Sequence, residues 1–348
     1  MQHLLQTLAV VLLLTGPALA QNTNPRPYQT KTFATNGLTT VRVETSGGSI
    51  TIEGDHAGEA KVEVYVQANN QNGRETLTQT ELDERLSQYV LTVETQGNTL
   101  VATAKRKDNR SIMNWKNGVS IAFRVYVPRR MMTDLHTSGG SISLSHLAGN
   151  QKFETSGGSL TLTDLDGNTK GQTSGGSINL TNCRPMVDVE TSGGSIEAVG
   201  SSGKIRLETS GGSIRLRDLN GDVHATTSGG SVEGSDIKGE LFTSTSGGSI
   251  RLRGMAGSLE ASTSSGSVEA EMVSVGKYVR LSASSGSVRV RMPLDKGLDL
   301  DLRGNRVNVP QPMAGFSGSI EKDRVRGQLN GGGIPVVLSA SSGSVSVN

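Results

Sequence analysis

Two segments of the 348-residue chain carry oxygen side chains at alternate positions. Asp164, Asp166 and Asn168 fall in DLDGN, and Asp218, Asn220 and Asp222 fall in DLNGD. Calcium favours such oxygens but also needs a closing bidentate Glu, which neither segment supplies. Asx turns, in which the side chain bonds its own backbone, account for both; no metal ion is expected. His56, His136, His146 and His224 stand singly, without metal spacing, and no nucleophile elbow is present. Cys183 is the single cysteine, so no internal disulfide can form. It takes a slot held elsewhere by Leu, Ile and Met, and reads as a buried inert thiol.

Polysaccharide lyases and hydrolases would need acids or bases clustered on one face. Here Glu197, Arg215, Glu233, Arg251, Glu269 and Arg289 alternate in sign. That suits a ladder of opposite charges, each pair contributing about 0.2–1 kcal/mol and less when exposed. The ladder would also penalise a slipped register. No catalytic residue and no cofactor is expected, and the chain reads as a non-enzyme. Two basic clusters, Lys105-Arg106-Lys107 and Arg129-Arg130, are the candidate contacts for an anionic envelope polymer; the plainer reading is a solvated face.

What positions these residues is a repeat. The Ser that opens an SGGS or SSGS corner falls at Ser138, Ser156, Ser174, Ser192, Ser210, Ser228, Ser246 and Ser264, always at an interval of 18. Fixed self-similarity of this length indicates a solenoid with one coil per repeat. After each corner come two aliphatic slots two residues apart, as in Ile214 and Leu216, which is strand alternation. A third inward slot follows (Leu147, Leu165, Cys183, Ser201, Leu219, Ile237, Met255), then a turn residue (Gly149, Gly167, Pro185, Gly203, Gly221, Gly239, Gly257). A second strand ends on a Thr that does not vary from Thr137 to Thr263. The hexapeptide left-handed helix also uses 18 residues per coil, but its aliphatic marker recurs every six residues and does not fit these slots. The fold class is therefore all-β, a single-stranded β-helix or solenoid with two or three short strands per coil.

The second corner glycine (Gly140, Gly158, Gly176, Gly194, Gly212, Gly230, Gly248, Gly266) persists even where the first becomes Ser, as at Ser265 and Ser285. This points to a structural corner whose second position needs φ > 0, which Gly adopts without penalty. The first needs only a small side chain, because coils stack about 4.8 Å apart. A Ser-rich strip used for ligand binding is the alternative.

Residues 1–20 read as a secretory signal: an apolar run, Gly16-Pro17, then Ala18-Leu19-Ala20. The run is too short for a membrane helix, and the mature chain is expected to begin near Gln21. Residues 21–136 read as an N-terminal cap, with an early coil at TSGGSITI (45–52) and an insertion containing a helix at 74–89 and strands at 61–66, 90–95 and 119–127. Regular coils occupy 137–291, and irregular coils with a cap occupy 292–348. The net charge of +2 is nearly neutral for this length and argues against a nucleic-acid or strongly polyanionic partner. Of the repeat aromatics, Phe242 is expected on the surface.

The TSGGS corners, VYVPRRMMTDLHTSGGSI at 125–142 and GQLNGGGIPVVLSASSGSVSV at 327–347 resemble the bacterial putative-adhesin family of exported β-strand-repeat proteins, a domain of unknown function. The resemblance spans residues 28–348. It implies a right-handed β-solenoid of periplasmic, secreted or cell-surface location, and supplies no catalytic residues. The expected function is to present a long regular surface as an adhesin or envelope scaffold, with a surface glycan, matrix or envelope polymer as partner. The alternative is an envelope-stress or regulatory module binding peptides, lipids or anionic polymers through residues 67–130. A polysaccharide-active enzyme is the third reading.

Overall fold

The computed structural model describes residues 26–68, 78–107 and 118–348. The expected signal segment, Gln21 and residues 74–77 of the expected helix lie outside the described residues. The chain winds into a β-solenoid, nearly all β, whose coils stack in parallel register. Leu160 pairs with Ile142 on one side and Ile178 on the other, and the ladder continues through Ile196, Ile214, Val232, Ile250 and Val268. All of these are buried. Each such side chain gains roughly 1.5–3 kcal/mol by leaving water, which is how a core almost without aromatics holds together. One exception is Phe153, whose ring takes the space that a side chain at Gly171 would need.

Each coil turns at a residue in left-handed conformation: His146, Asp164, Asn182, Gly200, Asp218, Asp236 and Gly254, with φ between 50° and 65°. Asn, Asp, His and Gly tolerate this region best. The turn glycines Gly149, Gly167, Gly203, Gly221, Gly239 and Gly257 also have positive φ. In several coils the chain bends through both turns without leaving the sheet, so one strand runs Ile214–Thr227 and the next Val232–Thr245. These are longer than the two or three short strands expected.

The corner differs from expectation in its cause. None of Gly140, Gly158, Gly176, Gly194, Gly212, Gly230, Gly248 and Gly266 lies in the left-handed region. They are glycine because of stacking: a Cβ on Gly212 would overlap the carbonyl of Gly194 in the preceding coil, and every copy meets the same obstacle. The first corner glycine has room, since a Cβ on Gly211 would lie 3.5 Å from the nearest atom. The unvarying Thr completes the corner. Thr209 Oγ1 donates to Gly194 O at 2.7 Å and accepts from Gly212 N–H at 3.2 Å. The same two bonds recur from Thr137 to Thr263. The closing Ser makes its own ladder, with Ser213 N–H donating to Ser195 Oγ at 3.2 Å.

The two ends are built by strands that return from elsewhere in the chain. Thr40–Thr45 and Ile50–Glu53 form a coil held between Met132–Ala148 on one side and the strands Thr99–Arg106 and Val119–Tyr126 on the other. The strand Thr99–Arg106 was not legible in the sequence. Antiparallel strands Gln29–Phe33, Ala60–Ala68 and Tyr89–Gln96 finish this end. The helix is Gln79–Leu86, shorter than expected; Thr78 and Glu81 form its capping box. At the other end, Ile334–Ala340 lies between Val268–Ala283 and Leu298–Arg303, and Arg324–Leu329 closes the sheet antiparallel. Reversing strand direction at both ends interrupts the parallel stack where it would otherwise present an open edge. Among the described residues no helix is long and apolar enough to cross a membrane.

Candidate functional site on an outward sheet face

Side chains between the inward slots of the post-corner strand point outward. They form two columns along the stack. The first runs Thr51, Ser143, Thr161, Asn179, then Glu197, Arg215, Glu233, Arg251, Glu269, Arg289. The second begins Glu53, Ser145, Thr163, Thr181, Val199 and continues Arg217, Ser235, Arg253, with Glu271 and Arg291 beyond. Between Glu53 at one end and Val199 at the other, the face is thus hydroxyl and amide, and beyond Val199 it is mostly charged.

In the first column the alternating charges pair: Arg215 with Glu233 at 3.7 Å, Arg251 with Glu269 at 4.0 Å, and Arg289 with Glu269 at 2.9 Å. Both partners are well exposed, so their energetic worth is small. In the second column Arg217, Arg253 and Arg291 make no ion pair among the described residues. The short Ser235 between Arg217 and Arg253 opens a depression of about 270 Å³, walled by Arg215, Arg217, Arg251 and Arg253 and also lined by Glu197 and Glu233. Where Glu271 holds the same column, the neighbouring depression is about 150 Å³. Alternation of sign makes the first column legible in the sequence. The second was visible as Arg two positions further on in alternate coils.

At the N-terminal end the face meets a depression of about 360 Å³ lined by Ser49, Thr51, Tyr65, Gln67, Ser120 and Arg124. Beside it, Glu63 accepts from Tyr65 Oη at 2.8 Å and Tyr126 Oη at 3.3 Å, and pairs with Lys61 at 2.9 Å. Burial pushes the Glu63 carboxyl up, but the hydrogen bonds from Lys61, Tyr65 and Tyr126 outweigh it and hold the group below its ordinary value. The Lys61 ammonium sits 4.0 Å over the Tyr126 ring.

The basic residues singled out in the sequence attach to different edges of the end coil. Lys105 pairs with Glu44 at 2.8 Å, before the corner. Arg106 donates to Gln88 at 3.2 Å, and the backbone of exposed Lys107 donates to Gln88 O. Arg129 grips Asp164 at 2.9 and 3.3 Å and reaches Asp55 at 3.2 Å, after the corner. Arg130 is exposed, its backbone bridged to Ala148. Asp164, read as an Asx-turn residue, therefore also serves as the partner of Arg129, whose hydrogen bonds hold its carboxyl below the ordinary value. Cys183 is fully buried, and burial pushes its thiol up to about 11. Phe242 lies on the outward side but is half-buried, stacked on His224 at 4.5 Å. Among the described residues no three His, Cys, Asp or Glu side chains are grouped to hold a metal.

A narrow single-chain β-solenoid with antiparallel caps and a two-column outward face defines the class. The chain belongs to the Toastrack DUF4097 family, whose model matches residues 59–247 and 231–348. This agrees with the resemblance carried by the corners and by the two longer motifs. No curated protein matches it. Similar solved structures include a putative cell adhesion protein from Clostridium sporogenes, 12% identical over 92% of this chain and 99% of that one, with a TM-score of 0.19. A putative adhesin from Parabacteroides merdae is 10% identical over 92% and 95% of the two chains, with a TM-score of 0.32. A putative lipid binding protein from Parabacteroides distasonis is 13% identical over 77% and 97%, with a TM-score of 0.26.

Proposed function

We propose that the chain is an exported β-solenoid that works by presenting its outward face to a polymer, as an adhesin or an envelope scaffold. The observation that carries this reading is the continuity of the two columns. The first column runs in register from Thr51 to Arg289 and the second from Glu53 to Arg253, one side chain per coil. A repeating ligand meets the same spacing at each step, so individually weak contacts add as avidity. The stiffness of the stack keeps the contacts pre-ordered, which lowers the entropic cost of binding.

The test is a binding panel of peptidoglycan, lipopolysaccharide, host glycans and matrix proteins against the purified chain. Binding that weakens when Thr161 and Asn179 are replaced by Leu, with the melting temperature kept, supports the reading. Binding insensitive to every change on the coil face removes it. A second reading, a sensor of peptides or lipids, is favoured by the Tyr65, Tyr126 and Glu63 cluster beside its own depression. Under that reading Tyr65→Ala abolishes binding and the coil-face changes do not.

A further inference from the structure

We propose that the depression at Ser235 binds the carboxylate of an acidic polysaccharide lying along the stack. The inference rests on the reading of the coil face as the working surface, and deepens it by naming a ligand class and a site.

Four intervals on this face can be compared. In each, an Arg is followed one coil later by a middle residue and two coils later by another Arg, roughly 9.6 Å away at about 4.8 Å per step. Two intervals hold a Glu in the middle in unbroken register, Arg215–Glu233–Arg251 and Arg251–Glu269–Arg289; in a third, Glu271 stands beside Arg291 but is separated from Arg253 by a register shift. The fourth is Arg217–Ser235–Arg253. The two in-register intervals of the first column thus place a carboxylate between paired arginines, and the in-register interval at Ser235 does not. Four arginines and two glutamates line the depression, and Glu233 is taken up by Arg215 at 3.7 Å, whereas Arg217 and Arg253 have no ion pair among the described residues; the space is also larger than beside Glu271, about 270 Å³ against about 150 Å³. An external carboxylate completes the pattern. Two guanidinium forks can grip it, and the Ser235 hydroxyl donates a further hydrogen bond.

The rest of the face selects the kind of polymer. Towards the N-terminus, one coil beyond Glu197 and Val199, the columns continue as Asn179, Thr181, Thr161 and Thr163, which suit the hydroxyls of sugars. No aromatic side chain stands in either column, so the bases of a nucleic acid find no stacking platform. Nor does the face offer the apolar pockets at alternate positions by which a sheet reads a peptide.

The test uses the full chain and oligogalacturonate, with its methyl ester, a heparin oligosaccharide and polyphosphate as comparison ligands, measured by calorimetry. Ser235→Glu supplies the missing acid in a column that already accepts Glu271, so the melting temperature should hold. Oligogalacturonate should bind, its ester should not, and both Ser235→Glu and Arg217→Gln should raise Kd by about tenfold or more. Unchanged binding in Ser235→Glu, with the Thr161 and Asn179 variants impaired, overturns the site and leaves the coil-face reading intact. Equal binding of the ester, or binding of only the sulfated or phosphate polymer, overturns the carboxylate assignment. Failure of all four ligands overturns the proposal, whereas failure of the wider panel overturns the coil-face reading beneath it. A concentration-dependent dimer abolished by Ser235→Glu would assign the site to a second copy of the chain and overturn the polysaccharide.

Discussion

The coils between Thr137 and Thr263 rest on neighbours 18 residues away in sequence, and each corner is closed by the same Thr and Gly contacts as the one before. The coils at the two ends rest on strands that arrive from far along the chain: Thr40–Thr45 on Thr99–Arg106, and Ile334–Ala340 on both Leu298–Arg303 and Val268–Ala283. The middle is a one-dimensional array in which local terms repeat. The ends need long loops to close before their contacts form, which carries an entropic cost. In return, each end carries an antiparallel strand on its outermost parallel coil, so the solenoid does not finish on a bare copy of its own repeat.

The largest effect expected in the middle is at the corner. Gly212→Val places a side chain where the Gly194 carbonyl stands, and neither coil can move without breaking its sheet. Destabilisation in the exceptional class, above about 4 kcal/mol, should follow. Gly211→Ser, one residue away, should stay within about 0.5 kcal/mol. Urea midpoints of the two variants decide the matter, and equal damage would remove the stacking account of the corner.

How much of this was legible depended on the range of the interaction. The period, the inward slots and the unvarying Thr can be read directly, because each coil repeats the same local demand. The reason for Gly212 could not, because the obstacle lies one coil away and depends on how closely the coils approach. The left-handed conformation assigned to Gly212 is found instead at Asp218 and Gly221. In the sequence those positions showed only as a short polar residue and a turn glycine. The strand Thr99–Arg106 carries no corner motif, and Ile121 stands where its coil would have one, its carbonyl meeting Gly48 and Thr45. Nothing periodic marks it. On the outward face the alternating column was legible by its signs. The Ser235 interval acquires meaning only when two columns are set side by side.

The next effect separates middle from end. Leu338 is fully buried between Leu281 and Leu302, and Leu338→Ala should cost about 2–5 kcal/mol. Leu207→Ala in the middle leaves a comparable cavity. Hydrogen exchange should show the Leu338 variant opening first across the C-terminal returns, and the Leu207 variant weakening coils on both sides. The same protection pattern in both would break the distinction.

A smaller effect isolates the Thr ladder. Thr209→Val keeps the shape but removes the bonds to Gly194 O and Gly212 N–H. A loss of about 1–3 kcal/mol is expected, largely restored by Thr209→Ser. If Val and Ser behave alike in denaturant titration, packing rather than hydrogen bonding holds the Thr in place.

The smallest effect lies where end and middle are tied together. Arg129 leaves the N-terminal excursion and grips Asp164, the left-handed turn residue of a regular coil. Hydrogen bonding to Arg129 is the main cause of the lowered Asp164 pKa. The unfolded chain therefore binds a proton at Asp164 at a higher pH than the folded one does. The contribution is complete above the ordinary carboxylate value of about 3.9 and fades as pH falls through the depressed folded value. Both side chains are partly exposed, so it should not exceed about 1 kcal/mol. Asp164→Asn keeps a residue that tolerates the left-handed turn and removes the charge. Its stability difference from the parent should be full at neutral pH and vanish in strong acid. A difference that stays constant across that range would mean that the turn, and not the ion pair, joins the end of the solenoid to its middle.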